Sequence, residues 1–209
     1  FQNAGNGYKG INCTTLTLNN NPELTEYPSA LAESGSWVRN LALRGCSIES
    51  FPEGSFVGRN VEALFSIDLS YNHLSKLSDE LIATNVPYLY GVDISYNRFS
   101  AFPYGPLDCA GLTVYGVRGQ RNAAGERCLS EWPTGIYRHT GLRGLYLGSN
   151  NLGKIDDTIS TLIYFLDISD NPDIIFDASD ICAAYANKVY YLIYDKSQEI
   201  RNCEYIELD

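Results

Sequence analysis

Residues 64–77 have the sequence LFSIDLSYNHLSKL, which follows the pattern L-x-x-I-x-L-x-x-N-x-L-x-x-L. The apolar residues Ile67 and Leu69 are two positions apart, so their side chains lie on the same side of an extended strand. A single strand with one apolar row is not stable by itself, because nothing covers that row. The stretch therefore predicts a unit that is stable only when similar units stack against it.

The same spacing returns about every 25 residues, as expected of a repeat protein. Three further stretches fit it closely: Val38, Leu41, Leu43, Cys46, Ile48 and Phe51; Leu89, Val92, Ile94, Asn97, Phe99 and Phe102; Leu142, Leu145, Leu147, Asn150, Leu152 and Ile155. Less regular copies begin at Leu16, Leu112 and Ile163, and a last strand follows Val189. Together these copies predict about eight strands.

Stacking the strands in parallel buries their apolar columns, and each fully buried side chain contributes roughly 1.5 to 3 kcal/mol. We predict one continuous α/β solenoid, with the strands on one face and short helices and turns on the other. Residues 29–34 and the segment after Ser78, with Asp79 and Glu80 in its first turn, are the helix candidates. The outer layer is predicted to hold aromatic residues that precede proline: Tyr27, Phe51, Phe102 and Trp132.

An amide follows most strands at the point where the chain turns inward. Backbone N–H and C=O groups lack ladder partners there, and a side-chain amide can satisfy both. Removing it would leave buried polar groups, each at a cost of about 1 to 3 kcal/mol. The predicted structural ladder consists of Asn21, Cys46, Asn72, Asn97, Gln120, Asn150 and Asn171.

These motifs resemble the leucine-rich repeat family over about residues 13–197. The resemblance implies a horseshoe arc with parallel strands on the concave face, a cysteine tolerated in the amide column, and protein binding as the usual activity. The Phe-Pro endings at Phe51 and Phe102 are more similar to secreted or surface-exposed bacterial and receptor-type arrays. We expect an irregular leader at 1–12, repeats at 13–178 and a C-terminal capping unit at 179–209, since terminal repeats must cover the apolar end of the stack.

Bulk composition excludes some partners. A net charge of −10 and a pI near 4.6 oppose binding to nucleic acid or to an anionic membrane. No apolar run approaches the roughly 20 residues of a transmembrane helix. The chain starts at Phe1 and contains no Met, so we expect a processed or truncated N-terminus that has lost any targeting segment.

The six cysteines fall into two groups. Cys13 and Cys46 occupy repeat positions and are expected to be buried and free. Two pairs flank strands and are disulfide candidates, each worth about 3 kcal/mol for a loop of roughly 20 residues: Cys109 with Cys128, and Cys182 with Cys203. Sequence does not determine the connectivity, and a bridge would indicate an oxidising compartment.

The concave face is the expected binding site. Tyrosine and arginine are favoured anchors at protein interfaces, and the chain has 16 tyrosines. The predicted partner-binding residues are Arg44, Asp68, Tyr71, Asp93, Tyr96, Arg118, Tyr146, Phe165 and Tyr191. The alternative is that the D-L-S-Y-N stretch is ordinary strand sequence for such repeats. The insertion Arg121–Arg127 in the fifth repeat is a second candidate, because insertions map to loops on one face.

Catalytic signatures are missing. The chain has only two histidines, His73 and His139, and no HExxH, G-x-S-x-G or Cys-x-x-Cys motif. We expect no catalytic residue, no cofactor and no metal. The leading hypothesis is a non-enzymatic protein-recognition module, extracellular or on the cell surface. The alternatives are a glycan-binding or adhesion module that uses concave aromatics, and a structural spacer in a larger cell-surface protein.

Overall fold

A computed structural model of the chain describes residues 14–28, 31, 37–58, 61–81, 83–136, 139, 141–155, 163–177, 191–195 and 200–201. The expected leader at 1–12 lies outside these residues, as do Cys13, Cys182 and Cys203. Only 191–195 and 200–201 are described from the expected capping unit at 179–209. The second candidate disulfide therefore lies outside the described residues.

Eight parallel strands carry the repeated apolar pattern, which confirms the predicted leucine-rich repeat solenoid. Each has three residues: β1 Thr15–Thr17, β2 Asn40–Ala42, β3 Ser66–Asp68, β4 Gly91–Asp93, β5 Val114–Gly116, β6 Gly144–Tyr146, β7 Phe165–Asp167 and β9 Tyr191–Ile193. A separate short pair joins β8, Phe176–Asp177, to β10, Ile200–Arg201, also in parallel.

The strands belong to two compact units. The first unit comprises Phe1–Asn97 and Pro103–Leu112, and the second comprises Arg98–Phe102 and Thr113–Asp209. In the first unit β1 to β4 pair in chain order, and the residues in register are Leu16, Leu41, Ile67 and Val92. In the second unit β5, β6, β7 and β9 pair in chain order, and the residues in register are Tyr115, Leu145, Leu166 and Leu192. Within each unit, the register lines up the apolar middle residues of the three-residue strands in one column.

Side-chain amides bond to the backbone between successive strands. Asn72 Nδ2 donates to Leu43 O at 2.8 Å and to Leu69 O at 2.9 Å, and its Oδ1 accepts from Ile48 N at 3.1 Å. Asn97, Asn150 and Asn171 bond in a similar way. Gln120 Oε1 accepts from Phe99 N, and the Cys46 thiol donates to Leu18 O at 3.2 Å. Asn21 differs because it is exposed and, among the described residues, its amide donates to the nearby Leu18 O and Asn19 O.

The outer layer consists of turns. The prediction of a short helix after Ser78 is wrong, because the segment forms turns. Glu80 N nevertheless donates a hydrogen bond to Ser78 Oγ. The Glu80 carboxylate instead accepts hydrogen bonds from Gly54 N at 2.7 Å and Phe56 N at 3.1 Å in the preceding repeat. Gly105–Asp108 forms a 3-10 helix, and the candidate helix at 29–34 is described only at Leu31.

Aromatic side chains fill this outer layer. Tyr27 packs on Phe56 with ring centroids 4.7 Å apart, and its burial raises the pKa of its hydroxyl. Phe102 and Trp132 are buried as well, whereas Phe51 is half-buried. Among the described residues, Trp132 Nε1 is buried without a hydrogen-bond acceptor.

In the part of the chain that the structure describes, no helix has the length and apolar character needed to cross a membrane.

Candidate recognition surface

The residue before each ladder position has a left-handed backbone. Its φ lies between 52° and 67° in seven repeats, at Asn20, Gly45, Tyr71, Tyr96, Gly119, Ser149 and Asp170. Glycine, asparagine and aspartate tolerate this conformation, whereas other residues pay roughly 1 to 2 kcal/mol because Cβ approaches the following carbonyl. Tyr71 and Tyr96 therefore hold bulky rings where the other repeats have small or polar side chains.

The first unit contains two rows of stacked side chains. Tyr71 and Tyr96 form one of them, which we call the Tyr71 row. Their rings stack with centroids 4.2 Å apart and planes 21° apart, and the side chains are 43% and 38% exposed. The Arg44 guanidinium lies 4.3 Å from the centroid of the Tyr71 ring. An arginine from the second repeat thus continues the stack, and both faces of the Tyr71 ring are covered.

The second row, the Phe65 row, also combines two stacked aromatic rings with an arginine. Phe65 and Tyr90 stack with centroids 4.8 Å apart and planes 6° apart, and the Arg39 guanidinium lies 5.8 Å from the Phe65 centroid. Sequence reasoning missed this row, because its residues precede the strands and fall outside the strand alternation. The sequence did contain a signal for this row. The residues immediately before β2, β3 and β4 are Arg39, Phe65 and Tyr90, which form a column of one arginine and two aromatic side chains.

Small and acidic residues occupy the strands between the two rows. Asp68 Oδ1 accepts hydrogen bonds from Ser70 N at 2.9 Å and Ser70 Oγ at 2.6 Å, and Asp93 Oδ1 accepts from Ser95 N at 2.9 Å. Both aspartates are half-buried, and both serines are buried. One oxygen of each carboxylate therefore stabilises the turn that follows its strand by accepting a hydrogen bond from the backbone two residues later. We call the Tyr71 row, the Phe65 row and the strand residues of β2 to β4 the first strand face.

The other predicted site residues lie in the second unit. Arg118 lies over the Tyr146 ring at 4.3 Å, and its Nε donates to Asp167 Oδ2 at 2.6 Å. Asp167 is buried, and Gly148 makes room for it: a Cβ at Gly148 would come within 2.9 Å of Asp167 Oδ2. The negative charge of Asp167 therefore balances the positive charge of Arg118 within the second unit.

Phe165 and Tyr191 stack at the beginning of β7 and β9. Their ring centroids are 4.7 Å apart and their planes 10° apart, and both side chains are exposed. Of the nine predicted residues, Arg44, Asp68, Tyr71, Asp93 and Tyr96 thus share the first strand face, while Arg118, Tyr146, Phe165 and Tyr191 belong to the second unit.

The insertion at 121–127 is a closed turn. Asn122 N donates to Glu126 O at 2.8 Å, and Asn122 Oδ1 accepts from Ala124 N and Glu126 N. At its base, Arg121 donates to Ser149 O, and Arg127 donates to Asn150 O, both at 2.8 Å. Arg127 also pairs with Asp170, and this hydrogen bond lowers the pKa of the Asp170 carboxyl. Both arginines of the insertion therefore bind carbonyls of the repeat turns.

Cys46, Cys109 and Cys128 are free thiols in the part of the chain that the structure describes. The bridge predicted between Cys109 and Cys128 is thus not formed. Cys109 is fully buried after the 3-10 helix, and burial, together with the charge of Asp108, raises its pKa to about 11. The Cys128 thiol donates instead to Phe99 O at 3.3 Å.

Comparisons with known proteins agree with the fold. No protein-family model and no curated protein matches the sequence. A leucine-rich repeat protein from Bacteroides thetaiotaomicron is 40% identical with a TM-score of 0.86, over 93% of this chain and 24% of its own. Another, from Bacteroides eggerthii, is 41% identical with a TM-score of 0.87, over 96% of this chain and 33% of its own. The chain is a leucine-rich repeat protein.

The chain therefore spans only about a quarter to a third of the length of these two relatives. Matches at lower identity share the fold alone. They include the TLR13–ssRNA13 complex, 19% identical with a TM-score of 0.59, and an internalin (inlF) from Listeria monocytogenes, 12% identical with a TM-score of 0.53.

Proposed function

We propose that this chain is a non-enzymatic recognition module that binds a protein partner through the first strand face. The observation that carries the proposal is the left-handed backbone beneath the exposed rings of Tyr71 and Tyr96. Asparagine or glycine would satisfy this backbone at lower cost, as in other repeats. A strained conformation that is retained under an exposed side chain points to a role for that side chain outside folding.

The chemistry of the rows suits a protein interface. Tyrosine and arginine dominate binding energy at such interfaces because each combines a large contact area with polar groups. Arg44 and Tyr96 hold Tyr71 between them. A partner would meet side chains that are already ordered, which lowers the entropy lost on association.

The stacking also favours a protein over a glycan. A sugar ring binds an aromatic residue by lying on an exposed ring face. Both faces of Tyr71 are covered, by Arg44 and Tyr96, and Phe65 lies between Arg39 and Tyr90 in the same way. The two central rings, Tyr71 and Phe65, therefore offer edges more readily than faces, and an edge contact suits the mixed polar and apolar surface of a protein.

We propose an extracellular or cell-surface location, supported by the resemblance of the Phe-Pro endings to secreted and surface-exposed arrays. The 40% and 41% identical relatives from Bacteroides support a bacterial origin of the module. The chain matches a minor part of both, so the activity of any whole protein that contains it is also a proposal. Cleavage of the chain by protease added to intact cells of the source organism would support the location, and protection until lysis would contradict it.

The function can be tested on arrays of secreted and surface proteins and of glycans. The probes are the wild type, the double variant Tyr71→Asn/Tyr96→Asn, and a matched control, Tyr88→Asn/Tyr104→Asn. Asparagine suits the left-handed backbone, and the control removes two tyrosines that are 68% and 44% exposed elsewhere. We expect a protein signal that the control retains and the row variant loses.

Three other outcomes would contradict the proposal. A protein signal that the row variant retains places the binding surface elsewhere. A glycan signal that the row variant loses supports the glycan-binding alternative. No signal on either array supports the spacer alternative.

A further inference from the structure

We infer that Arg44 binds a carboxylate of the protein partner, the side chain of an aspartate or a glutamate, at the edge of its guanidinium group. Arg44 is exposed, and it lies at the β2 end of the Tyr71 row. The inference rests on the proposed function, because it names the chemical group that the first strand face selects in its partner.

Both ends of Arg44 are held in place. Its backbone N donates to Asn19 Oδ1 at 2.8 Å, and its backbone O accepts from Asn20 N at 2.8 Å. Its guanidinium lies 4.3 Å from the centroid of the Tyr71 ring, which in turn stacks on Tyr96. A partner would therefore meet an arginine that is already ordered, which reduces the entropy lost on binding.

Stacking on Tyr71 uses the flat face of the guanidinium and leaves its edge open. The N–H groups lie in the plane of the guanidinium and form a fork that matches the two oxygens of a carboxylate. In the part of the chain that the structure describes, no carboxylate or carbonyl oxygen accepts a hydrogen bond from the Arg44 fork. The donors of this arginine are therefore available to an acceptor on a partner.

Other arginines use their N–H groups inside the fold. In the second unit, each of three arginines donates to a backbone carbonyl oxygen: Arg121, Arg127 and Arg143. Arg39 is the arginine most similar to Arg44, because it also stacks on an aromatic ring of the first unit. Its guanidinium lies 5.8 Å from the Phe65 centroid, however, so Arg44 is the more closely stacked of the two.

Arg118 shows that a stacked arginine can bind a carboxylate at the same time. It has the same repeat position as Arg44, two residues after a strand and directly before a glycine with a left-handed backbone. Its guanidinium also lies 4.3 Å from a tyrosine centroid, that of Tyr146, while its Nε donates to Asp167 Oδ2 at 2.6 Å. The fold supplies the carboxylate for Arg118, and the partner would supply it for Arg44.

The overall charge of the chain does not explain a preference for acidic ligands. The net charge of −10 attracts basic partners at long range and repels acidic ones. The nearby Asp68 accepts from Ser70 N and Ser70 Oγ, and the structure shows no ion pair between Asp68 and Arg44. A preference for acidic ligands must therefore come from a local contact, and Arg44 provides one.

The test uses a display library of short random peptides as the probe and the whole folded chain as the bait. Selected peptides are then synthesised in pairs, in which one aspartate or glutamate is kept or replaced by its amide, and their dissociation constants are measured. Arg44→Gln removes the charge, whereas Arg44→Lys keeps the charge but removes the planar fork. Lys76→Gln is the matched control, because it removes an exposed cation elsewhere in the first unit. Circular dichroism verifies that every variant is folded.

We expect aspartate and glutamate to be enriched among the peptides that the wild type selects. The wild type should bind the acidic member of a pair at least about fivefold more tightly than the amide member, because a carboxylate forms charge-assisted hydrogen bonds with the guanidinium. This preference should disappear in Arg44→Gln, fall in Arg44→Lys and persist in Lys76→Gln.

Enrichment of basic peptides, a failure to select any peptide, or an acidic preference that survives Arg44→Gln would overturn the inference. Tighter binding of a phosphoserine peptide than of the matching acidic peptide would assign the guanidinium to phosphate and would also overturn it. Neutral peptides whose binding is lost in Tyr71→Asn/Tyr96→Asn would overturn the Arg44 pairing alone and leave the proposed function intact. Acidic peptides that depend on Arg44 but not on Tyr71 and Tyr96 would support the pairing and overturn the Tyr71 row as the recognition surface.

Discussion

Tyr71 and Tyr96 stack with ring centroids 4.2 Å apart while both hold a left-handed backbone, with φ of 57° and 58°. The same turn in other repeats has asparagine, glycine, serine or aspartate. The stack is thus built on a backbone position where a bulky side chain is disfavoured. Its net effect on stability should be small, and its effect on binding large.

Replacing both tyrosines by glycine should leave stability nearly unchanged or raise it. Relief of the left-handed strain, roughly 1 to 2 kcal/mol per residue, offsets the loss of an exposed stack worth about 0.5 to 1.5 kcal/mol. The urea midpoint of Tyr71→Gly/Tyr96→Gly checks this. Tyr115→Ala is the contrast, because Tyr115 is fully buried and its removal should cost about 3 to 5 kcal/mol. A loss in the row variant as large as that in Tyr115→Ala would show that the row holds the fold.

The amide ladder gives a second prediction. Asn72→Ala should destabilise the chain by at least about 2 kcal/mol, because it leaves the buried Leu43 O and Ile48 N without their partner. Asn21→Ala is the matched control: its amide is exposed, and its acceptors can bond to water. Denaturant unfolding of both variants measures the difference. An equal loss of unfolding free energy in both variants would mean that the ladder does not stabilise the fold through the burial of its amides.

Gly148 gives a third prediction. A Cβ there would come within 3.0 Å of Asp167 Oδ1 and 3.1 Å of Ser169 Oγ, closer than van der Waals contact allows. Gly148→Ala should therefore displace the Asp167 carboxylate and break its pairing with Arg118, with a stability loss on the order of 1 to 3 kcal/mol. Gly91→Ala, whose Cβ would meet only an ordinary contact, should fold normally. The melting temperatures of the two variants measure the difference. A melting temperature of Gly148→Ala equal to that of the wild type would contradict the close packing of Asp167 against Gly148.

The pairing of Arg127 with Asp170 gives a fourth prediction. The Arg127 hydrogen bond lowers the pKa of the Asp170 carboxyl, so the pair adds stability above the pKa of the unfolded chain and loses it as pH falls through the lower folded pKa. Arg127→Gln should raise the pKa of Asp170 toward its ordinary value, as measured by carboxyl NMR titration. The effect on overall stability should be small, because Asp170 is exposed. An unchanged Asp170 pKa would show that Arg127 does not bind it in solution.

The repeat pattern was sufficient to predict the strands. Alternation decides which side of a strand each residue faces, so the columns of Leu41, Ile67 and Val92 followed from the spacing of apolar residues. Phe65 and Tyr90 could not be assigned in this way, because they precede the strands and alternation does not extend to them. Their stack is visible only once the register of neighbouring repeats is known.

The other differences between prediction and structure arise because side chains form contacts that the sequence pattern does not specify. Asp68 was predicted to face a ligand freely, but the D-x-S spacing lets one of its oxygens reach the backbone of Ser70. Glu80 was predicted to lie in the first turn of a helix, but its carboxylate binds backbone amides about 25 residues away, which local propensity cannot foresee. The spacing of Cys109 and Cys128 allowed a bridge, but spacing does not give the direction of either thiol.

The most direct test is the dissociation constant of the protein partner found on the array, measured with three proteins of equal folded fraction. These are the wild type, Tyr71→Asn/Tyr96→Asn and Tyr88→Asn/Tyr104→Asn. If the Tyr71 row is the recognition surface, the row variant should bind at least about tenfold more weakly, a change of about 1.4 kcal/mol. The control should stay within about twofold of the wild type, as expected of residues outside the interface. A folded row variant that binds as tightly as the wild type would contradict the account.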